Sequence, residues 1–178
     1  MFYKLLAKLL EYPDAELQAE LPRLNKALRE GFEATEWIVL ERFMRQLADE
    51  SLTESQAAYV RTFDMTPEHA LHLTHHLFGD DKNRGPALID LTEYYRQYGL
   101  EIAANDGGSR ELPDYLPLVL EFAAQLEAEE ARVFLSQWTK VLNQLAANLE
   151  TAESPYAPLV RLVERRSRLA QPMAEAAA

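Results

Sequence analysis

Apolar residues recur along this chain at helical spacing. Phe2, Leu5, Leu6, Leu9 and Leu10 follow the i, i+3, i+4, i+7, i+8 rule of one buried helix face, and no stretch alternates apolar and polar residues as a half-buried strand does. A second segment opens near Asp14 and carries Leu17, Leu21, Leu24 and Leu28; Pro22 removes a backbone donor there and predicts a kink or restart, and Gly31 predicts the end. Trp37, Leu40, Phe43, Met44 and Leu47 mark a third helix, and Ser51-Leu-Thr-Glu54 is a capping box opening a fourth with Tyr59, Val60 and Phe63. Thr66-Pro67-Glu68 supplies an N-cap, a proline at the first helical position and an acid in the first turn, so one helix is predicted from Pro67 to the stop at Gly79. Another runs from Pro86 to Tyr98, with Leu88, Leu91, Tyr95 and Tyr98 on one face and Gly99 after its end. Leu100 to Leu116 reads as the longest irregular stretch and contains Asn105-Asp-Gly-Gly108 and Pro113. Helix resumes from Leu118 to Leu126, a long amphipathic helix carries Phe134, Trp138, Val141, Leu142, Leu145 and Leu149, and Ser154-Pro155 caps a last one through Leu169.

With neither an internal repeat nor an interdomain linker, the pattern predicts an all-α, single-domain helical bundle of about eight or nine helices over residues 1–170. Residues 171–178, which have no apolar face, are expected to fray. Composition agrees with a packed domain: 178 residues, 48% hydrophobic and 26% charged. Eighteen Lys and Arg against 29 Asp and Glu leave a net charge of -11. That balance argues against a nucleic-acid or anionic-membrane surface and suits a partner that is basic where it binds. No cysteine is present, so thiolate chemistry, disulfides and Cys-ligated metal centres are excluded. The apolar start is interrupted by Lys4 and Lys8, no small-residue cleavage site follows it, and no run is long enough to span a membrane, which makes the cytoplasm the expected compartment.

All four histidines fall in His69-Ala-Leu-His-Leu-Thr-His-His76. At about 100° per residue, Leu71, Leu73, Leu77 and Phe78 share one side of a helix with Ala70 and Thr74, and His69, His72, His75 and His76 the other. Two readings stand: a wet or partner-facing helix surface, or a helical metalloprotein using His72 and His76, four residues apart, with a carboxylate such as Asp80. The metal reading lacks its third and fourth ligands. There is no phosphate-binding glycine loop, nucleophile elbow or zinc-helix motif, so catalysis has no support. Asp80-Asp81 reads as solvated loop charge. Arg161, Arg165, Arg166 and Arg168 form a solvated helix face, pair internally, or hold phosphate.

Three segments, taken together, resemble the NarJ-type nitrate reductase molybdenum cofactor assembly chaperones of the wider TorD/DmsD family of redox-enzyme maturation proteins. They are Leu9-Leu-Glu-Tyr-Pro-Asp14; Tyr59-Val-Arg-Thr-Phe-Asp64 with His76-Leu-Phe-Gly-Asp-Asp-Lys-Asn-Arg-Gly85, Ile89-Asp-Leu91 and Tyr95-Arg-Gln-Tyr-Gly-Leu100; and Arg110-Glu-Leu-Pro-Asp-Tyr-Leu-Pro117 running into Leu118-Val-Leu-Glu-Phe122. The resemblance implies an all-α cytoplasmic chaperone without catalytic turnover. It implies binding to the N-terminal segment of the nitrate reductase catalytic subunit, which is kept competent for molybdenum cofactor insertion until it docks on its membrane anchor. It leaves open a client of the dimethyl sulfoxide or trimethylamine N-oxide reductase type, and contact with cofactor biosynthesis proteins. The cofactor would be handled on the client rather than held stably by the chaperone. Tyr115 stands where relatives often have His, and relatives often have a longer C-terminal region.

A client segment that folds as an amphipathic helix needs an apolar groove and an acidic rim. The candidate contacts are His76, Arg84, Asp90, Glu93, Tyr94, Glu111, Pro113, Asp114 and Tyr115, with Glu121 close by in sequence. Tyr95 and Tyr98 serve either the groove or the core. Pro113 and Pro117 are expected to hold the preceding loop so that Glu111 and Asp114 are presented. Arg84 is expected to tie its loop to a carboxylate or touch the client, Gly85 to permit the turn before Pro86, and His76, with an ordinary pKa near 6.5, to make client binding pH-dependent.

Overall fold

A computed structural model describes residues 1–27, 33–79, 81–103 and 110–169. Leu28, Gly31, Asp80, the Asn105-Asp-Gly-Gly108 segment and residues 171–178 lie outside the described residues. Ten α-helices occur among the described residues: α1 (Phe2–Leu10), α2 (Ala15–Ala27), α3 (Ala34–Asp49), α4 (Leu52–Tyr59), α5 (Leu73–Phe78), α6 (Arg84–Gln97), α7 (Leu116–Ala123), α8 (Ala128–Ser136), α9 (Thr139–Thr151) and α10 (Ala157–Ser167). The all-α class expected from periodicity holds. Among these residues no helix is long and apolar enough to cross a membrane.

Local chemistry explains most of the ends. Asp14 Oδ1 accepts from Leu17 N–H (2.7 Å) and opens α2. Ser51 and Glu54 bond reciprocally and open α4. Gly79 (φ 53°) and Gly99 (φ 73°) adopt left-handed backbone just past α5 and α6, where the missing Cβ removes the penalty. α9 ends in the same way without glycine: Ser154 N–H reaches Leu149 O (2.9 Å), Glu153 N–H reaches Glu150 O (3.0 Å), and Glu153 itself takes the left-handed position at φ 52°.

Three boundaries depart from the expected pattern. α2 continues through Pro22 instead of restarting. The long helix expected across Phe134–Leu149 is two, α8 and α9, with Trp138 buried at the corner between them. The helix expected from Pro67 to Gly79 is a single 3-10 turn, Pro67–His69, then extended chain through His72, then α5. Gly85 is also reassigned: it lies in the first turn of α6 without left-handed backbone, so nothing there demands glycine.

The core forms where α1 lies along α7, and where the α9–α10 hairpin packs against α8 and α3. Leu6, Leu10, Leu40, Leu73, Leu116, Leu120, Leu142 and Leu145 are fully enclosed there. Each such leucine contributes about 1.5–3 kcal/mol of transfer free energy. α6 is the exception. Tyr95 is its one buried residue, and Ile89 is 69% exposed, so this helix leans on the bundle through a narrow aromatic seam.

Candidate functional site

The 110–116 loop is held from inside by chemistry spread over three elements. Leu73 N–H donates to Asp114 O (3.0 Å) and Leu116 N–H to Leu71 O (2.8 Å), an antiparallel bridge that pairs His72 with Tyr115. This pairing pulls residues 70–72 out of helical conformation and explains why α5 starts late. Asp114 is fully buried. Its Oδ2 accepts from Thr74 N–H (2.9 Å) and the Thr74 hydroxyl (2.6 Å), while Arg84 donates from Nε to Thr74 Oγ1 (3.0 Å) and brings Nη2 to 3.7 Å from the carboxylate. Tyr95 adds a bond from its hydroxyl to Pro113 O (2.7 Å). Arg84 therefore ties the loop to a carboxylate, as its position suggested. Asp114, expected on an acidic rim, is instead that internal carboxylate and does not reach the surface.

Tyr115 is half-buried, and its hydroxyl lies 2.9 Å from Tyr59 Oη, which in turn donates to Leu10 O (3.1 Å). The loop is thereby joined to α1 and α4 as well. Burial, more than any neighbour, pushes the Tyr115 phenol up to about 12 and raises those of Tyr59 and Tyr95 further. These tyrosines work as neutral hydrogen-bond donors.

The histidines separate once the helix is interrupted. His69, predicted on the wet side, is buried and donates from Nδ1 to Thr62 O (3.1 Å). Leu77, predicted on the core side, is 54% exposed. His72 precedes α5 in extended conformation, with Nε2 3.6 Å from Glu111 Oε2 and its ring 5.4 Å from that of Tyr115. His76 donates from Nε2 to Ala70 O (2.8 Å), and its burial lowers its pKa. His72 and His76 are not successive turns of one helix, and among the described residues no three His, Asp or Glu side chains gather as a metal site.

Beside the clamped loop lie two adjoining cavities of about 190 and 240 Å3 that share Tyr95, Leu100, Glu101 and Ile102. The first extends to Leu118, Glu121 and Phe122, the second to Arg96, Arg110, Glu111, Leu112 and Pro113. The surface is apolar at its floor and carries three acids, Glu101, Glu111 and Glu121. Burial raises the Glu121 carboxyl above the usual range. Of the expected contacts, Glu111 and Pro113 line this groove. Asp90 and Glu93 are exposed on α6 outside it, with Glu93 3.5 Å from Arg96. Tyr94 packs on the rings of Phe122 (5.7 Å) and Phe134 (5.6 Å, stacked). Tyr95 goes to the core and floor, and Tyr98 is 43% exposed. Sequence reasoning missed Glu101 and Ile102 as lining residues and met Leu100 only as the end of a motif, because the irregular stretch they begin carries no periodicity to place them. It also missed the Thr74 and Tyr59 hydroxyls, whose partners are distant in sequence.

The structure thus joins an all-helical bundle, a loop locked in place by buried polar bonds and a shallow apolar groove with charged residues at its edge. The chain matches the family model described as nitrate reductase delta subunit over residues 11–161, and it belongs to that family. It is 36% identical over 161 residues to the nitrate reductase molybdenum cofactor assembly chaperone NarJ of Escherichia coli K12, covering 89% of this chain and 66% of that protein. It is 34% identical over 161 residues to the probable nitrate reductase molybdenum cofactor assembly chaperone NarJ of Bacillus subtilis, covering 90% of this chain and 85% of that protein. The nitrate reductase-like protein NarX of Mycobacterium tuberculosis H37Rv is 35% identical over 127 residues, 71% of this chain and 19% of that protein. The chain thus spans about two thirds of the length of the Escherichia coli relative.

Proposed function

We propose that this protein is a non-catalytic assembly chaperone for a respiratory nitrate reductase. It binds the N-terminal segment of the apo catalytic subunit in the groove over Tyr95, in the cytoplasm, and keeps that subunit open to molybdenum cofactor insertion before it docks at the membrane. The cofactor is handled on the client, and proteins of cofactor biosynthesis are further partners.

The observation that carries this reading is the pair of adjoining cavities, the first edged by Glu101 and Glu121 and the second by Glu101 and Glu111 with Arg96 and Arg110. An amphipathic client helix places anchors at i and i+3 or i+4, about 5–6 Å apart, so neighbouring anchors can enter neighbouring cavities while basic residues meet the acids. The names of the relatives supply the class of client. Titration calorimetry with a peptide from the start of the catalytic subunit tests the reading. Binding that weakens with salt, and weakens again when Glu101, Glu111 and Glu121 are changed to Lys, is expected. No detectable binding to the unaltered chaperone, or full affinity in the triple variant, overturns the site. Co-purification of the client separates a nitrate reductase from a dimethyl sulfoxide or trimethylamine N-oxide reductase.

A further inference from the structure

The arginine cluster of α10 is only partly consumed by internal pairing. Arg161 forks onto Glu150 (2.9 and 2.8 Å), Arg166 onto Glu36 (2.9 and 2.8 Å), and Arg168 donates to Glu164 (2.6 Å). Arg165 has no carboxylate within 4.0 Å among the described residues. Yet Arg165, Arg166 and Arg168 converge with Arg132 of α8 and with Tyr3 and Glu33 on one cavity of about 420 Å3. Its volume falls within the ~300–1,000 Å3 usual for small-molecule sites.

The cavity is built rather than merely basic. Glu36 is itself buried and takes both Nε and Nη2 of Arg166, whose guanidinium also sits 4.3 Å above the Phe2 ring. Glu164, 1% exposed, fixes Arg168 from behind. Arg132 lies 3.3 Å from Glu129 on the exposed side of α8. The buried Glu36 and Glu164 orient the guanidinium planes of Arg166 and Arg168 and leave their remaining N–H groups unused, which lowers the entropy lost when an anion arrives. Four guanidiniums around one opening offer more donors than a single phosphate accepts. Arg165, with no carboxylate within 4.0 Å among the described residues, is the cation that this internal pairing leaves over at the opening.

We propose that this cavity, between α8 and the C-terminal end of α10, binds a small molecule carrying a diphosphate group. It is separate from the client groove. Tyr3, at the start of α1, lies seven residues before Leu10, whose carbonyl anchors Tyr59, and that is about 10 Å of helix. Ligand at one end of α1 is therefore one helix away from the clamped loop.

The test is calorimetry on the full chain with inorganic pyrophosphate as probe, compared with inorganic phosphate and sulfate. Saturable binding of pyrophosphate, tighter than either single anion, is expected. In the Arg132→Gln/Arg165→Gln variant, affinity should fall about a hundredfold or more, since two charge-assisted bonds are lost together. Those two arginines do not anchor the core, and unchanged thermal unfolding verifies that the fold is intact. Arg45→Gln, on an exposed turn of α3 beside Glu41, serves as control and should bind normally. Absence of saturable pyrophosphate binding, equal affinity for sulfate and pyrophosphate, or full affinity in the double variant overturns the proposal. Client-peptide affinity measured on the same double variant separates the two sites: it is expected to be unchanged.

Discussion

Replacing Asp114 with alanine probes the claim that the 110–116 loop is locked from within. Its Oδ2 receives two hydrogen bonds from Thr74, at 2.9 and 2.6 Å, and lies 3.7 Å from Arg84 Nη2, with Asp114 wholly buried and the Arg84 side chain 24% exposed. A hydrogen bond to a charged partner contributes about 1.5–3 kcal/mol. Removing the carboxylate also strands the Thr74 N–H and hydroxyl and leaves the guanidinium uncompensated, which places the loss at about 3–5 kcal/mol. In a domain of this size each kcal/mol moves Tm by about 2–4 °C, so a fall of roughly 6–20 °C is expected. Asp114→Asn keeps an acceptor for Thr74 and should cost only about 1–2 kcal/mol. Arg84→Leu alone leaves a buried carboxylate with its two Thr74 bonds but no cation, so the Arg84→Leu/Asp114→Ala double variant should lose less than the sum, by about 0.5–3 kcal/mol. Thermal and urea unfolding followed by circular dichroism measures all four proteins. An alanine variant within about 1 kcal/mol of the parent, or strict additivity in the double, would refute the account.

Glu153→Gly should stabilise the protein by about 0.5–1 kcal/mol, because glycine at φ 52° avoids the left-handed penalty at the end of α9; a lower Tm would show that the glutamate side chain contributes more than its backbone costs. Tyr59→Phe deletes the donor to Leu10 O and the contact with Tyr115 and should destabilise by about 1 kcal/mol, read from the urea midpoint at constant m-value. His76 has its pKa lowered by burial, so the folded chain binds that proton more weakly than the unfolded chain. Its contribution is complete above the ordinary value near 6.5 and is lost as pH falls below it. His76→Gln should flatten the acid-side decline in stability, and an identical pH profile would contradict the assignment.

The helices could be read from the sequence because their signals are local. The apolar period of α1, the Ser51–Glu54 box and the glycines after α5 and α6 each act within a few residues, and each marks an element that the structure contains. The helix predicted from Pro67 to Gly79 failed for a non-local reason. Thr66, Pro67 and Glu68 do start a turn, but Leu71 and Leu73 find backbone partners in Leu116 and Asp114, more than forty positions later, and those bonds compete with helical ones. A helical wheel assumes that no such competitor exists, which is why it put His69 outside and Leu77 inside. The division between α8 and α9 is another failure of the same assumption, since apolar spacing alone does not reveal a corner at Trp138.

The candidate site was legible in proportion to how far its chemistry depended on exposure. The tie from Arg84 to a carboxylate was legible because a guanidinium beside a loop needs an acid partner, and the exposure of Glu111, 3.6 Å from His72, was legible because a loop acid stays at the surface unless the fold supplies partners inside. Asp114 broke that rule since Thr74, on an otherwise apolar face, and Arg84 together neutralise it in the interior. The clue was available: the acid sits between Pro113 and Tyr115 in a run dominated by apolar residues, where burial is the default and a charge must bring its partners. The same reasoning relocates the groove. Acids on α6 such as Asp90 and Glu93 are displayed by a helix that barely touches the core, whereas Glu111 stands on the loop whose shape Asp114 fixes, in the groove it shares with Glu101 and with Glu121 of α7. Buried polar bonds thus set where Glu111 stands, and loosening the Asp114 clamp is expected to weaken binding of the peptide proposed for the groove, measured by calorimetry, although Asp114 itself is wholly buried.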